Sequence, residues 1–201
     1  MKKINLDPKR RLFATGKTQS GKSWLIKSML KQVRNYIIID VKGEYSSFGV
    51  VVNSVSGLIE ALKSGCVRIV VQFLAVDFGR KREIFNDVCG VVSRLKNILL
   101  VVDEGHLFAD LHSIPANFEY IITTKEAHNV GVWYITQRSQ KSNPDVRGNS
   151  SYKICFRLNE DLDINALSNF KAVDIRSLGE FEFLFYDDSR LSEAVSKHRS
   201  V

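Results

Sequence analysis

Gly16-Lys17-Thr18-Gln19-Ser20-Gly21-Lys22-Ser23 decides how this chain is read. The stretch satisfies G-x-x-x-x-G-K-[ST] at every fixed position. Arg11-Leu12-Phe13-Ala14-Thr15 before it reads as a short buried strand. Ser23 to Arg34 after it reads as a helix, with Ile26, Met29, Leu30 and Val33 on one face and Lys27, Lys31 and Arg34 opposite. Strand, glycine loop and helix are the parts of a phosphate-binding P-loop. Its glycines let backbone N–H groups turn toward a β-phosphate, and the helix N-terminus adds partial positive charge. Lys22 would reach the β- and γ-phosphates of ATP, and the Ser23 hydroxyl would hold Mg²⁺. The nucleotide-binding candidates are therefore residues 16–23 and Trp24, with Asp40 and Glu44 beyond.

Outward from that loop, apolar runs alternate with amphipathic segments. Tyr36-Ile37-Ile38-Ile39-Asp40 and Asn97-Ile98-Leu99-Leu100-Val101-Val102-Asp103-Glu104 have the continuous apolar form of buried parallel strands, each closing on carboxylates. Val50–Val52, Cys66–Phe73, Val130–Thr136, Tyr152–Leu158 and Phe181–Tyr186 are further strands. Ser54–Ser64, Arg80–Lys96, a segment opened by Pro115, and Asp161–Phe170 are helices. Arg138–Ser151 reads as a polar loop, and residues 187–201 as a polar tail with at most a short helix. The pattern predicts an α/β fold, a P-loop NTPase of the RecA-like (ASCE) kind: a three-layer sandwich around a mostly parallel sheet. Ligands in such sheets sit at the carboxyl ends of the strands, where Asp40, Asp103, Gln137 and the P-loop all fall.

The bulk numbers agree with one domain over residues 1–201, led by a basic arm at residues 1–10. The chain has 201 residues, 44% apolar and 25% charged, which are ordinary globular values. No apolar run approaches the roughly 18 residues that span a bilayer, so the expectation is a soluble, intracellular protein. Cys66, Cys89 and Cys155 are scattered in apolar runs and read as reduced core thiols. A net charge of +7 points to an anionic partner without specifying it.

Asp103-Glu104 at a strand end, about 80 residues after the P-loop, fits a carboxylate pair for ATP hydrolysis. Asp103 suits Mg²⁺ and Glu104 suits activation of water. Gln137 could touch the γ-phosphate if its strand lies between the P-loop strand and the Asp103 strand; otherwise it is a surface glutamine. His106 and His112 fit no standard metal spacing. A small-molecule kinase needs no Asp-Glu pair with a glutamine sensor, and no guanine-reading Asn-Lys-x-Asp is present.

Five segments, in order, resemble the FtsK–HerA superfamily of nucleic-acid-pumping ATPases. They are the P-loop, Asp40-Val41-Lys42-Gly43-Glu44-Tyr45, Val101-Val102-Asp103-Glu104-Gly105-His106, Ile135-Thr136-Gln137-Arg138-Ser139, and Ile154-Cys155-Phe156-Arg157-Leu158. In size the chain is similar to the genome-packaging ATPases of tailless viruses with an internal membrane. The resemblance implies a homo-oligomeric ring, a hexamer, with ATP between subunits, double-stranded DNA in the pore, and contacts to capsid or vertex proteins. It also implies a basic residue that reaches the neighbour's ATP. The position where the family places an arginine is Glu126 here, leaving Lys125, Arg138 and Arg157 as candidates, with Arg157 preferred. Lys141 and Arg147 are the candidate DNA contacts. A competing function is an ATPase driving protein or virion assembly, or secretion.

Overall fold

The structure is a computed structural model and describes residues 4, 6–73, 77–124, 128–170, 173–190 and 195–200. Its strands are β1 (Arg11–Thr15), β2 (Tyr36–Asp40), β3 (Val50–Val52), β4 (Arg68–Gln72), β5 (Ile98–Val102), β6 (Val130–Thr136), β7 (Tyr152–Phe156), β8 (Glu182–Asp187) and β9 (Val195–Arg199). They form one nine-stranded sheet in the order β3-β4-β2-β5-β6-β1-β7-β8-β9. β1 to β7 are parallel, while β8 and β9 run antiparallel at one edge. The α/β sandwich expected from the sequence is thus the fold observed.

Strand periodicity divides the core into two layers. Phe13, Ile37, Ile39, Leu100, Val102, Val132 and Tyr134 face one side of the sheet. Leu12, Ala14, Ile38, Val101, Trp133 and Ile135 face the other. The first side is covered by α2 (Val55–Lys63), α3 (Phe78–Val92) and α4 (Ala116–Thr124), which bury Leu58, Phe85, Val88, Phe118 and Ile121. The second is covered by α1 (Lys22–Leu30) through Ile26 and Leu30, each contributing about 1.5–3 kcal/mol by burial.

Several boundaries differ from the sequence reading. α3 starts at Phe78 because Asp77 caps it, its carboxylate accepting the Arg80 N–H at 3.1 Å, and it stops at Val92. α1 ends four residues before Arg34. The expected helix over 161–170 breaks into α6 (Asp161–Asn165) and a 3-10 turn at Ser168–Phe170. The polar loop after β6 holds a 3-10 turn (Ser139–Lys141) and α5 (Pro144–Gly148), which is capped by Asn143. Most informative is the tail: Val195–Arg199 is a strand, not a helix or a loose end. It is a polar edge strand held by backbone pairing to β8, so it carries no apolar run to betray it. Cys66, Cys89 and Cys155 are free thiols; Cys89 and Cys155 lie in the core, whereas Cys66, expected there too, is only partly buried. Among the described residues, no helix is long and apolar enough to cross a membrane. Lys2 and Lys3 of the basic arm, and Lys125 and Glu126, lie outside the described residues.

Candidate active site

β1 delivers the glycine loop, and two close approaches hold it. A Cβ on Gly16 would lie 2.5 Å from Phe156 Cβ of β7, so only glycine lets the loop start there. The Lys17 N–H donates to the Arg157 carbonyl at 3.1 Å, tying the loop to the end of β7. Gly21, at φ 95°, turns the chain into α1 through a conformation that side chains rarely adopt. No side chain caps α1, so its leading N–H groups are open to an anion. Ser20 Oγ is buried and has no hydrogen-bond partner among the described residues. A cavity of about 510 Å³ opens over the loop, lined by Lys17 to Trp24, Lys42, Glu44, Gln137, Glu180 and Phe181.

The strand order places β6 between β1 and β5. That order meets the condition on Gln137: its side chain joins the P-loop to the carboxylate pair. Thr18 Oγ1 donates to Gln137 Oε1 at 2.7 Å, and Gln137 Nε2 donates to Glu104 Oε1 at 2.5 Å. Lys42 Nζ forms a close ion pair with the same Glu104 oxygen. His106 Nδ1 lies 3.5 Å from Glu104 Oε2 and 3.0 Å from Thr136 Oγ1. Glu104 itself sits in the left-handed region, at φ 48° and ψ 44°, a conformation costing about 1 kcal/mol. A Cβ on the following residue, Gly105, would lie 2.3 Å from the Tyr134 ring, so the turn packs tightly on β6.

Asp103, Glu104 and Lys22 are all nearly buried, at 4%, 5% and 5% exposure, and therefore interact strongly. Burial, then the charge of Glu104, pushes the Asp103 carboxyl up to about 6, against the pull of Lys22 and Lys42. Burial lowers the Lys22 ammonium, opposed by Asp103 and Glu104. Burial also draws Lys42 down, but the Glu104 hydrogen bond and the nearby carboxylates leave it above its ordinary value.

Other candidates are placed differently. Asp40 is fully buried, and its carboxylate accepts N–H groups from Lys42, Gly43, Glu44 and Tyr45 at 2.8–3.3 Å, plus Gln72 Nε2 at 3.0 Å. It shapes the loop after β2, and the loop rather than Asp40 reaches the cavity. Glu44 lines the cavity and pairs with Lys27 of α1 at 3.7 Å. Trp24 lines it too, half exposed. Arg157 is exposed beside this chain's own P-loop, in a cavity of about 300 Å³ that it shares with Lys17 to Ser20 and Glu180. Arg138 faces Asp163 at 3.4 Å. Lys141 is exposed, but Arg147 is not a free surface cation. It turns inward, donating to the Ser139 carbonyl at 2.7 Å and to the Ser142 carbonyl, because α5 folds it back over the loop.

No protein-family model matches the chain, and no curated protein matches it in sequence. Solved structures do match. The genome packaging NTPase B204 from Sulfolobus turreted icosahedral virus 2, in complex with ATP-gammaS, superposes with TM-score 0.76 at 22% identity, over 98% of this chain and 100% of that one. B204 from Sulfolobus turreted icosahedral virus, described as a DNA-packaging ATPase, gives 0.75 at 22% identity with the same coverage. VirB4 of Thermoanaerobacter pseudethanolicus gives 0.68 at 13% identity, over 98% of this chain and 92% of that one. The fold is that of a P-loop NTPase.

In a P-loop NTPase fold, the donor set here suits Mg²⁺ with a triphosphate. Ser23 and Asp103 offer hydroxyl and carboxylate oxygens, which a hard cation prefers. Ser20 Oγ, unpartnered among the described residues, and the glycine loop suit phosphate oxygens. Among the described residues no cluster of three or more His, Cys, Asp or Glu could hold a metal by itself. Sequence reasoning missed Lys42, Thr18 as a side-chain donor, and the 180–181 wall. Lys42 lay within a quoted motif, yet nothing in the chain order showed that it meets Glu104, 62 residues away.

Proposed function

We propose that this chain is an ATP-hydrolysing motor that moves double-stranded DNA, packaging a viral genome into a capsid as a homo-oligomeric ring, a hexamer. The carrying observation is the side-chain path from the P-loop through Gln137 to Glu104, set up by the β1-β6-β5 order. The likeness to packaging NTPases over nearly the whole length of both chains supports it.

In this reading Lys22 and the loop N–H groups hold the β- and γ-phosphates. Gln137 orients a water and Glu104 accepts its proton as the water oxygen attacks the γ-phosphorus. The bond from that phosphorus to the β-γ bridging oxygen breaks, leaving ADP and phosphate. Ser23 and Asp103 would hold Mg²⁺, which supplies charge neutralisation of the phosphates when bound. The net charge of +7 and exposed Lys141 favour a polyanion, with Arg147 ordering the loop that presents Lys141. Arg157 remains the first candidate for the residue acting on a neighbour's ATP, and the protein is placed in the host cytoplasm or with the virion. Hydrolysis should rise on adding duplex DNA of any sequence, and native mass measurement should find a hexamer. Hydrolysis that ignores DNA in the assembled state would favour a protein-assembly or secretion ATPase.

A further inference from the structure

We propose that Lys42 is a positioning residue for Glu104 that exchanges partners with the γ-phosphate, occupying the Gln137-facing oxygen of the base until a triphosphate loads. This rests on the ATPase reading above. Each carboxylate oxygen offers about two lone-pair sites. Both sites of Glu104 Oε1 are filled, by the Lys42 ammonium and by the Gln137 amide at 2.5 Å. A base in that state has no lone pair on this oxygen for a water proton. The Gln137 amide is in turn held from its other end by Thr18 of the P-loop at 2.7 Å.

The two donors differ in how they can leave. Gln137 follows β6 and is tethered to the P-loop through Thr18, so it moves only with that loop. Lys42 stands in the loop after β2, with its side chain 41% exposed on the cavity wall, so it can swing without unpacking the core. Its backbone is fixed meanwhile: the Lys42, Gly43, Glu44 and Tyr45 N–H groups all end on Asp40. A fixed backbone with a mobile, charged side chain is the arrangement a two-position ammonium needs. The γ-phosphate brings the strongest competing charge into that cavity. When Lys42 moves onto it, Oε1 opens toward water and the phosphate gains a second ammonium beside Lys22. ADP has no γ-phosphate to offer, so the pair re-forms after each turnover.

The test is equilibrium binding of ATPγS and of ADP, each with Mg²⁺, to the full chain carrying Lys42→Ala, Lys42→Gln or Lys42→Arg, with melting curves alongside. Loss of a charged hydrogen bond predicts ATPγS affinity lower by roughly tenfold or more in Lys42→Ala and Lys42→Gln, ADP affinity within about twofold, and near-complete recovery in Lys42→Arg. Equal weakening of ATPγS and ADP would show that Lys42 merely props the loop and would overturn the proposal. Unchanged ATPγS affinity would overturn it as well, leaving a surface ion pair. If the unaltered chain binds neither nucleotide, the P-loop reading itself fails, and the proposal with it.

Discussion

Asp40 ends β2 and Glu104 lies two residues past β5, its hydrogen-bonded neighbour, and both carboxylates are buried. They are held in opposite ways. Asp40 accepts four backbone N–H groups, none of which can leave without dismantling the turn, and the buried Gln72 side-chain amide besides. Glu104 is held by side chains: the Lys42 ammonium, the Gln137 amide and, more distantly, the His106 ring. Side chains change partners by rotation, whereas backbone donors do not. A carboxylate gripped by backbone is scaffold, and one gripped by side chains is available for chemistry. Lys42 links the two, with its N–H on Asp40 and its ammonium on Glu104.

That contrast can be broken or sharpened by mutation. The largest effect belongs to Lys22, which faces Asp103 and Glu104 from inside the P-loop. Lys22→Ala should lower ATP hydrolysis by roughly 10³-fold, since a preorganised charge at the reacting phosphate is lost. Steady-state phosphate release checks it, and turnover near that of the unaltered chain would remove the P-loop from the mechanism. On the scaffold side, Asp40→Ala should cost about 3 kcal/mol, because buried donors lose a charged acceptor. Denaturant melting reads that loss, and an unaltered midpoint would show that the loop does not depend on Asp40.

The contrast also explains what could be read from the chain alone. The P-loop, the apolar strands and the Asp103-Glu104 pair announce themselves locally, through glycine spacing and continuous burial. Asp40 and Glu104 look alike there, since each ends an apolar strand. What separates them is who donates the hydrogen bonds, a matter of tertiary contact. Edge strand β9 stayed hidden for a related reason: its stability comes from pairing with β8, and Ser196, Lys197, His198 and Arg199 carry no burial signal. Arg147 looked like a surface cation until α5 turned it onto the Ser139 and Ser142 carbonyls.

Smaller effects extend the same distinction to the loop after β6. Arg147→Ala should destabilise the fold by about 1 kcal/mol through lost carbonyl contacts. Its effect on the salt dependence of DNA binding should be small, and a marked drop in slope would return it to the DNA interface. Lys141→Ala should leave stability alone. If Lys141 neutralises one phosphate, its loss should reduce the log–log salt slope of duplex binding by about 0.9. A binding series across salt concentrations separates the two residues.

The most direct test of the account is turnover of bound ATP by Glu104→Gln. The substitution keeps the shape of the side chain and removes its basicity. The account predicts that ATP still binds, that the protein melts like the unaltered chain, and that hydrolysis falls by roughly 10²-fold or more. Turnover at the unaltered rate by a folded, ATP-bound Glu104→Gln would contradict it, and would mean that another carboxylate at this site takes the proton.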